Sequence, residues 1–460
     1  MREELSRLCS LIDGFVEVRH HKKKSRTIAV RKSEITDLSI KRTEGTAIRV
    51  LIQGVWGFAA SSLSDRGSLE RALKQAETMA RSLASRKKHK ASLALAQLAR
   101  GEFELDGYQE LNDMLLEEKL ATVSQSESRI RAEKGIESAH CQYAEIFEEK
   151  IIITSDGANC VIKTVRPEFR FSAFAESGGH VSSGFDSVGV SGGWQCLFQD
   201  RPLDSFIETA SKNAIDLLDA PRPEGGTHTV ILSPAMVGLL SHEAIGHTVE
   251  ADFVKSGSVA QGMMGQMVAS ELVTLCDSGK SEIRDHAGGM IPVDDEGVFA
   301  GKTTIIDRGK LVSYLHNRES AAEFGVTPTG NARAWEFSDE PLIRMRNTYV
   351  APGEDRLEDM ISGIDSGYYI EGPEGGQADA TGEFMFGASR VRAIRGGNLA
   401  ESVQKVTVSG NAFDVLRSVD AVSSDFRWDL GSGHCGKGQP AKVDAGGPYI
   451  RCKILIGGAQ

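Results

Sequence analysis

The hydrophobic pattern in the first half of the chain switches between two periods. Residues 15–18 and 27–30 alternate apolar and polar positions, the two-residue period of a strand. Between them the basic run His20-His21-Lys22-Lys23-Lys24-Ser25-Arg26 reads as a solvated hairpin tip. Residues 47–52 and 55–59 read as a strand pair bent at Gln53-Gly54. Leu69, Leu73, Ala76 and Met79 then recur at helical spacing with charges between them, which predicts a helix over residues 68–85. A second helical stretch covers residues 108–124 and runs on toward Lys134. Strands return from Ala139, and Ser155-Asp156-Gly157-Ala158 separates two apolar runs with the Asp-Gly pair typical of a hairpin. Residues 177–193 are rich in Gly and Ser and read as a loop or glycine-bearing strands; residues 205–218 are helical again.

Asp219-Ala220-Pro221-Arg222-Pro223-Glu224-Gly225-Gly226 combines two prolines with two glycines and reads as a linker. It divides the chain into an N-terminal α/β domain, residues 1–220, and a C-terminal domain, residues 221–460. Past the linker, short β-like runs at 228–232, 303–306, 311–315, 349–350, 391–394, 403–408 and 449–456 are separated by Gly and Asp. One helix follows residue 232 directly, and few long helical patterns occur beyond it. The expected class is α+β, with a β-rich second half.

Composition narrows the function. A net charge of −11 argues against a phosphate-driven nucleic-acid binder. No run of about 20 apolar residues marks a membrane span. The opening MREELSRLCSLIDGF lacks the apolar core of a secretion signal, so a cytoplasmic location is expected. Seven scattered cysteines do not form a disulfide framework; in a reducing compartment they pack, bind metal or do chemistry.

The candidate chemistry follows the linker. Ser233 is a good N-cap and Pro234 suits the first helical position, so a helix starts there and runs into His242-Glu243-Ala244-Ile245-Gly246-His247. The motif is one residue longer than the H-E-x-x-H of common zinc peptidases. At about 100° per residue, positions five apart differ by roughly 140°, so a regular helix cannot aim both histidines at one ion. The helix must widen, bulge or end between them, and Gly246 is the residue expected to tolerate this. Two imidazoles suit Zn²⁺, and Glu243 is placed to act as a general base. Glu250, Asp252, Glu271 and the glycine-rich segment Gly431-Ser432-Gly433-His434-Cys435-Gly436-Lys437 are candidates for the third ligand. That segment also spells G-x-G-x-x-G, but no strand–helix unit follows it, so it is not a dinucleotide fingerprint. His180, His228, His286 and His316 read as structural.

These residues resemble the TldD branch of the TldD/PmbA family of zinc peptidases. The likeness runs from Gly54-Val55-Trp56-Gly57-Phe58-Ala59 through Leu240-Ser241-His242-Glu243 and Thr327-Pro328-Thr329-Gly330-Asn331 to Gly375-Gly376-Gln377-Ala378-Asp379 and Cys435-Gly436-Lys437, in the family's order. The resemblance implies that His242, His247 and Cys435 hold Zn²⁺ and that Glu243 is the catalytic base. It implies an N-terminal α/β domain and a C-terminal domain of strongly curved antiparallel sheet carrying the zinc helix. It also implies hydrolysis of small or unfolded peptides, including maturation of precursor peptides, and a homodimer or a heterodimer with a PmbA-type paralogue. His434 and Glu250-Ala251-Asp252-Phe253 depart from the family pattern. Three other readings stay open at this level: a non-catalytic partner subunit, a zinc hydrolase of C–N or C–C bonds in a small molecule, and a Cys435 nucleophile with His434 as its base.

Overall fold

The computed structural model describes residues 1–457. Its first half is built on long antiparallel strands. Helix α1 (Arg2–Leu8) precedes β1 (Phe15–Arg31), β2 (Glu34–Ile52) and β3 (Val55–Ser61), and α2 (Arg66–Ala84) follows. Asp65 caps α2 by accepting from the Ser68 amide, which is why the helix starts just before the predicted residue. Leu69, Leu73, Ala76 and Ala80 bury against Val16, Val18, Ile48 and Val50, each large side chain contributing about 1.5–3 kcal/mol. Met79, read from spacing as part of this face, is exposed, and Ala80 takes its place.

The short β4 (Arg100–Glu104) leads to α3 (Tyr108–Asp113) and α4 (Leu116–Ala132), so the single predicted helical stretch is two helices. Then β5 (Ile136–Thr154) and β6 (Asn159–Ser177) form the expected Asp-Gly hairpin, and β7 (His180–Gly189) occupies most of the glycine-rich segment. The sheet order is β3-β2-β1-β5-β6-β4, with β7 also on β6. Phe169, Phe171 and Tyr143 form the core beneath α4 and α5 (Leu203–Asp216).

The basic run is not a hairpin tip. It lies in the middle of β1, an inner strand paired on both sides with β2 and β5. Neighbouring acids make this burial possible: His21 Nε2 lies 3.1 Å from Glu148, Arg26 lies 3.0 Å from Glu145, and Lys23 lies 3.1 Å from Glu336. Spacing alone cannot reveal these partners, which come from other strands and from the second half.

After α5, the chain resumes regular structure at β8 (Gly226–Leu232). Strands 366–378, 226–232, 450–457, 406–411 and 383–395 follow one another in a curved sheet, and pairing of 366–378 with 383–395 closes it into a ring. All of these pairings are antiparallel except that of 366–378 with β8. The predicted run 403–408 is two strands, and the run 311–315 is strand only at Lys310–Leu311. Phe384, Phe386, Val408, Ile450 and Ile454 share one core with the helix after β8. A second, six-stranded sheet contains Leu275–Ser278 and Asn347–Val350. Arg346 and Asp277, both fully buried, pair at 2.8 Å beside it. Among the described residues no helix is long and apolar enough to cross a membrane.

Candidate metal centre

Helix α6 (Pro234–Leu239) begins as its sequence dictates, with Ser233 accepting from the Met236 amide and Pro234 in the first turn. It then widens: Leu240–Gly246 is a π-type turn, followed by a 3₁₀ turn over His247–Val249. The His247 amide donates to the His242 carbonyl, five residues back. That widening brings side chains five apart onto one face, so the two imidazole rings lie 5.4 Å apart between centroids. Gly246 lies in the expected distortion, at the end of the widened turn, with ordinary helical backbone angles. Its lack of a side chain serves another purpose, because a Cβ would come within 1.9 Å of Met345 Sδ.

Cys435 reaches the histidines from the far end of the chain, on a short strand (His434–Gly436) paired with Pro440–Lys442. Arg344 fixes this hairpin, donating to the Cys435 carbonyl at 2.6 Å and to the Gln439 carbonyl at 2.7 Å. Cys435 Sγ lies 3.2 Å from His247 Nε2, and one ligand atom from each of His242, His247 and Cys435 falls within 4.8 Å of the others. Both ring nitrogens of His242 are buried without a hydrogen-bond partner. A buried imidazole left this way is costly unless something else binds it, and two imidazoles plus a thiolate make a good zinc donor set. The residues present therefore fit a metal ion.

The electrostatics agree. Burial alone would push the Cys435 thiol up, but the His242 and His247 charges beside it bring it down to about 4. Burial opposes a proton on His247, yet hydrogen bonds with Cys435 and Glu250 raise it to about 10. The same contest raises His242, through the Cys435 sulfur.

Glu243 Oε2 stands 3.8 Å from His247 Nε2 and stays partly exposed. The other acidic candidates behave differently. Glu250, fully buried, accepts from His247 Nδ1 at 2.9 Å, leaving Nε2 to face Cys435. Lys437 Nζ donates to Glu250 at 3.1 Å and to Asp252 at 2.8 Å. Glu271 is exposed and outside the cluster. His434 packs edge-on against Trp335, and the histidine partner of Cys435 is His247. Sequence reasoning assigned no role to Arg344 and named Lys437 only as part of the segment bearing Cys435.

Three family models cover the chain: PmbA/TldA metallopeptidase domain 1 over residues 16–80, the central domain over 109–218, and the C-terminal domain over 225–458. A metalloprotease of Methanothermobacter thermautotrophicus is 32% identical over 453 residues, covering 96% of this chain and 95% of its own. The zinc metalloprotease TldD homolog of Saccharolobus solfataricus is 34% identical over 265 residues, 57% of this chain and 58% of its own. The crystal structure of TldE from Thermococcus kodakarensis shares the fold, with a TM-score of 0.81, 20% identity and 99% coverage of both chains. With matching models in both halves and a relative aligned nearly end to end, the chain belongs to the PmbA/TldD family of metallopeptidases.

Proposed function

We propose that this chain is a zinc-dependent peptidase of small or unfolded peptides, with His242, His247 and Cys435 holding the metal and Glu243 as general base. The observation that carries the reading is the convergence of these three donors around a His242 whose ring nitrogens are otherwise unpartnered. When bound, zinc would supply Lewis-acid polarisation of the scissile carbonyl. Glu243, partly exposed beside the cluster, takes the proton of the attacking water and returns it to the leaving amine. Glu250 holds the His247 ring so that Nε2 faces the site, and Lys437 offsets the buried charge of Glu250. The intact donor set favours this reading over a non-catalytic partner subunit.

The proposal extends to organisation. Residues 221–460 form the metallopeptidase domain and residues 1–220 its N-terminal companion. The partner is a second copy or a PmbA-type paralogue, and the need for a free Cys435 thiol suits the cytoplasm. Family membership supports the assembly, and the TldE likeness supports the shared fold. The test is hydrolysis of an unstructured peptide pool by the zinc-loaded chain, alone and with such a paralogue. Glu243→Gln should lower turnover by about 10²–10⁴-fold while leaving one zinc per chain. Equal turnover by wild type and variant would refute the mechanism.

A further inference from the structure

A cavity of about 650 Å³ is lined by residues of both halves and by none of the three metal donors. On its wall Cys196 Sγ lies 3.6 Å from His286 Nε2, and His286 Nδ1 lies 3.2 Å from the Ser191 carbonyl oxygen. Nδ1 can only donate to that carbonyl, so Nε2 is the nitrogen presented to the sulfur. Two backbone features hold this arrangement. His286 sits in the left-handed region at φ 66°, uncommon for a residue with a side chain. Gly192, at φ 149°, leaves room for the pair, because a Cβ there would lie 2.9 Å from Cys196 Sγ and 3.0 Å from His286 Nδ1. The hydrogen bond with Cys196 raises the His286 imidazole to about 8, against the effect of burial.

The rest of the wall describes a ligand. Arg284 and Arg427 lie with Asp200 and Asp429 around the cavity, Arg284 standing 3.7 Å from Asp200 at its exposed rim, so both signs of charge line a volume fit for a small molecule. We propose that Cys196 and His286 form a thiol-exchange site for a small zwitterionic disulfide built from amino acids. The Cys196 thiol gives its proton to His286 Nε2 as its sulfur attacks one sulfur of the disulfide. A bond from Cys196 to that sulfur forms as the ligand's own S–S bond breaks. His286 then protonates the departing thiolate, so Cys196 is oxidised to a mixed disulfide and one half of the ligand leaves as a reduced thiol.

The test uses the full, zinc-loaded chain at pH 7 with oxidised glutathione, following each cysteine by mass spectrometry. Cys9 is the internal reference: it is also half-buried, its sulfur faces the Val16 and Ile153 carbonyls, and burial, with the charges of Glu17 and Asp156, pushes its thiol up to about 12. Cys196 is expected to form the mixed disulfide at least about tenfold faster than Cys9. His286→Asn should slow Cys196 about tenfold, since asparagine tolerates the left-handed backbone and removes the base; an unchanged Tm confirms that this variant folds. Modification of Cys196 at the Cys9 rate, or a rate unaffected by His286→Asn, overturns the proposal. So does fast alkylation by iodoacetamide without preference for the disulfide. The dyad shares no residue with the metal cluster, so the result is independent of the peptidase reading.

Discussion

At the scale of the residue, the presentation of His247 depends on a carboxylate that never meets solvent. Glu250 binds His247 Nδ1 at 2.9 Å and is matched by Lys437 at 3.1 Å, a carboxylate–histidine arrangement that fixes which nitrogen faces the site. Glu250→Gln keeps the size but can offer its NH₂ group to Nδ1, which favours the wrong tautomer. Zinc affinity, measured by competition with a chromophoric chelator, should fall about 10–100-fold while the circular dichroism spectrum stays native. Unchanged affinity would show that the ring is held by its packing against Phe253 instead, 6.0 Å away between centroids. The sequence placed Glu250 among the possible ligands because it is acidic and close to the motif. It could not distinguish a ligand from a residue that orients one. That difference rests on which side of the imidazole the carboxylate reaches, a matter of side-chain geometry.

At the scale of the element, the widened turn was legible and its cause was not. Five-residue spacing between two histidines demands a departure from 3.6 residues per turn, and Leu240–Gly246 makes it. The role of Gly246, however, depends on Met345, which arrives from a distant loop and fills the space a side chain would take. Gly246→Ala should therefore destabilise the protein by about 1–3 kcal/mol, read as a lower urea midpoint with an unchanged m-value. Adding Met345→Ala should recover part of that loss by making room. If Gly246→Ala alone matched the wild type, the close approach would carry no energetic weight. The same limit explains β1. Its apolar ends were readable as strand, whereas its basic centre looked solvated because the acids beside it, Glu145, Glu148 and Glu336, are remote in sequence.

At the scale of the whole molecule, the two halves are joined by buried charge. Arg49 of β2 binds Glu17 of β1 at 2.7 Å and Glu296 of the second half at 3.0 Å. Arg166 of β6 donates to the Met290 carbonyl at 2.9 Å. Lys442 pairs with Glu168 of β6, and Lys442 lies on the strand that pairs with the one bearing Cys435. The N-terminal sheet thus braces the hairpin that carries a metal donor. None of this was legible from local periodicity, because long-range charge pairing leaves no repeat in the chain. Buried pairs of this kind contribute little over a well-packed apolar pair, but breaking one strands a charge. Glu168→Gln should cost about 3–5 kcal/mol, because it leaves Lys442 buried without its carboxylate. Lys442→Met should cost less, since Glu168 keeps Arg170 at 3.1 Å. The double variant should be more stable than the sum of the single losses predicts, with a coupling of about 0.5–3 kcal/mol in denaturant unfolding. Additive losses would mean that the two residues act separately and that the brace lies in the backbone contacts between the halves.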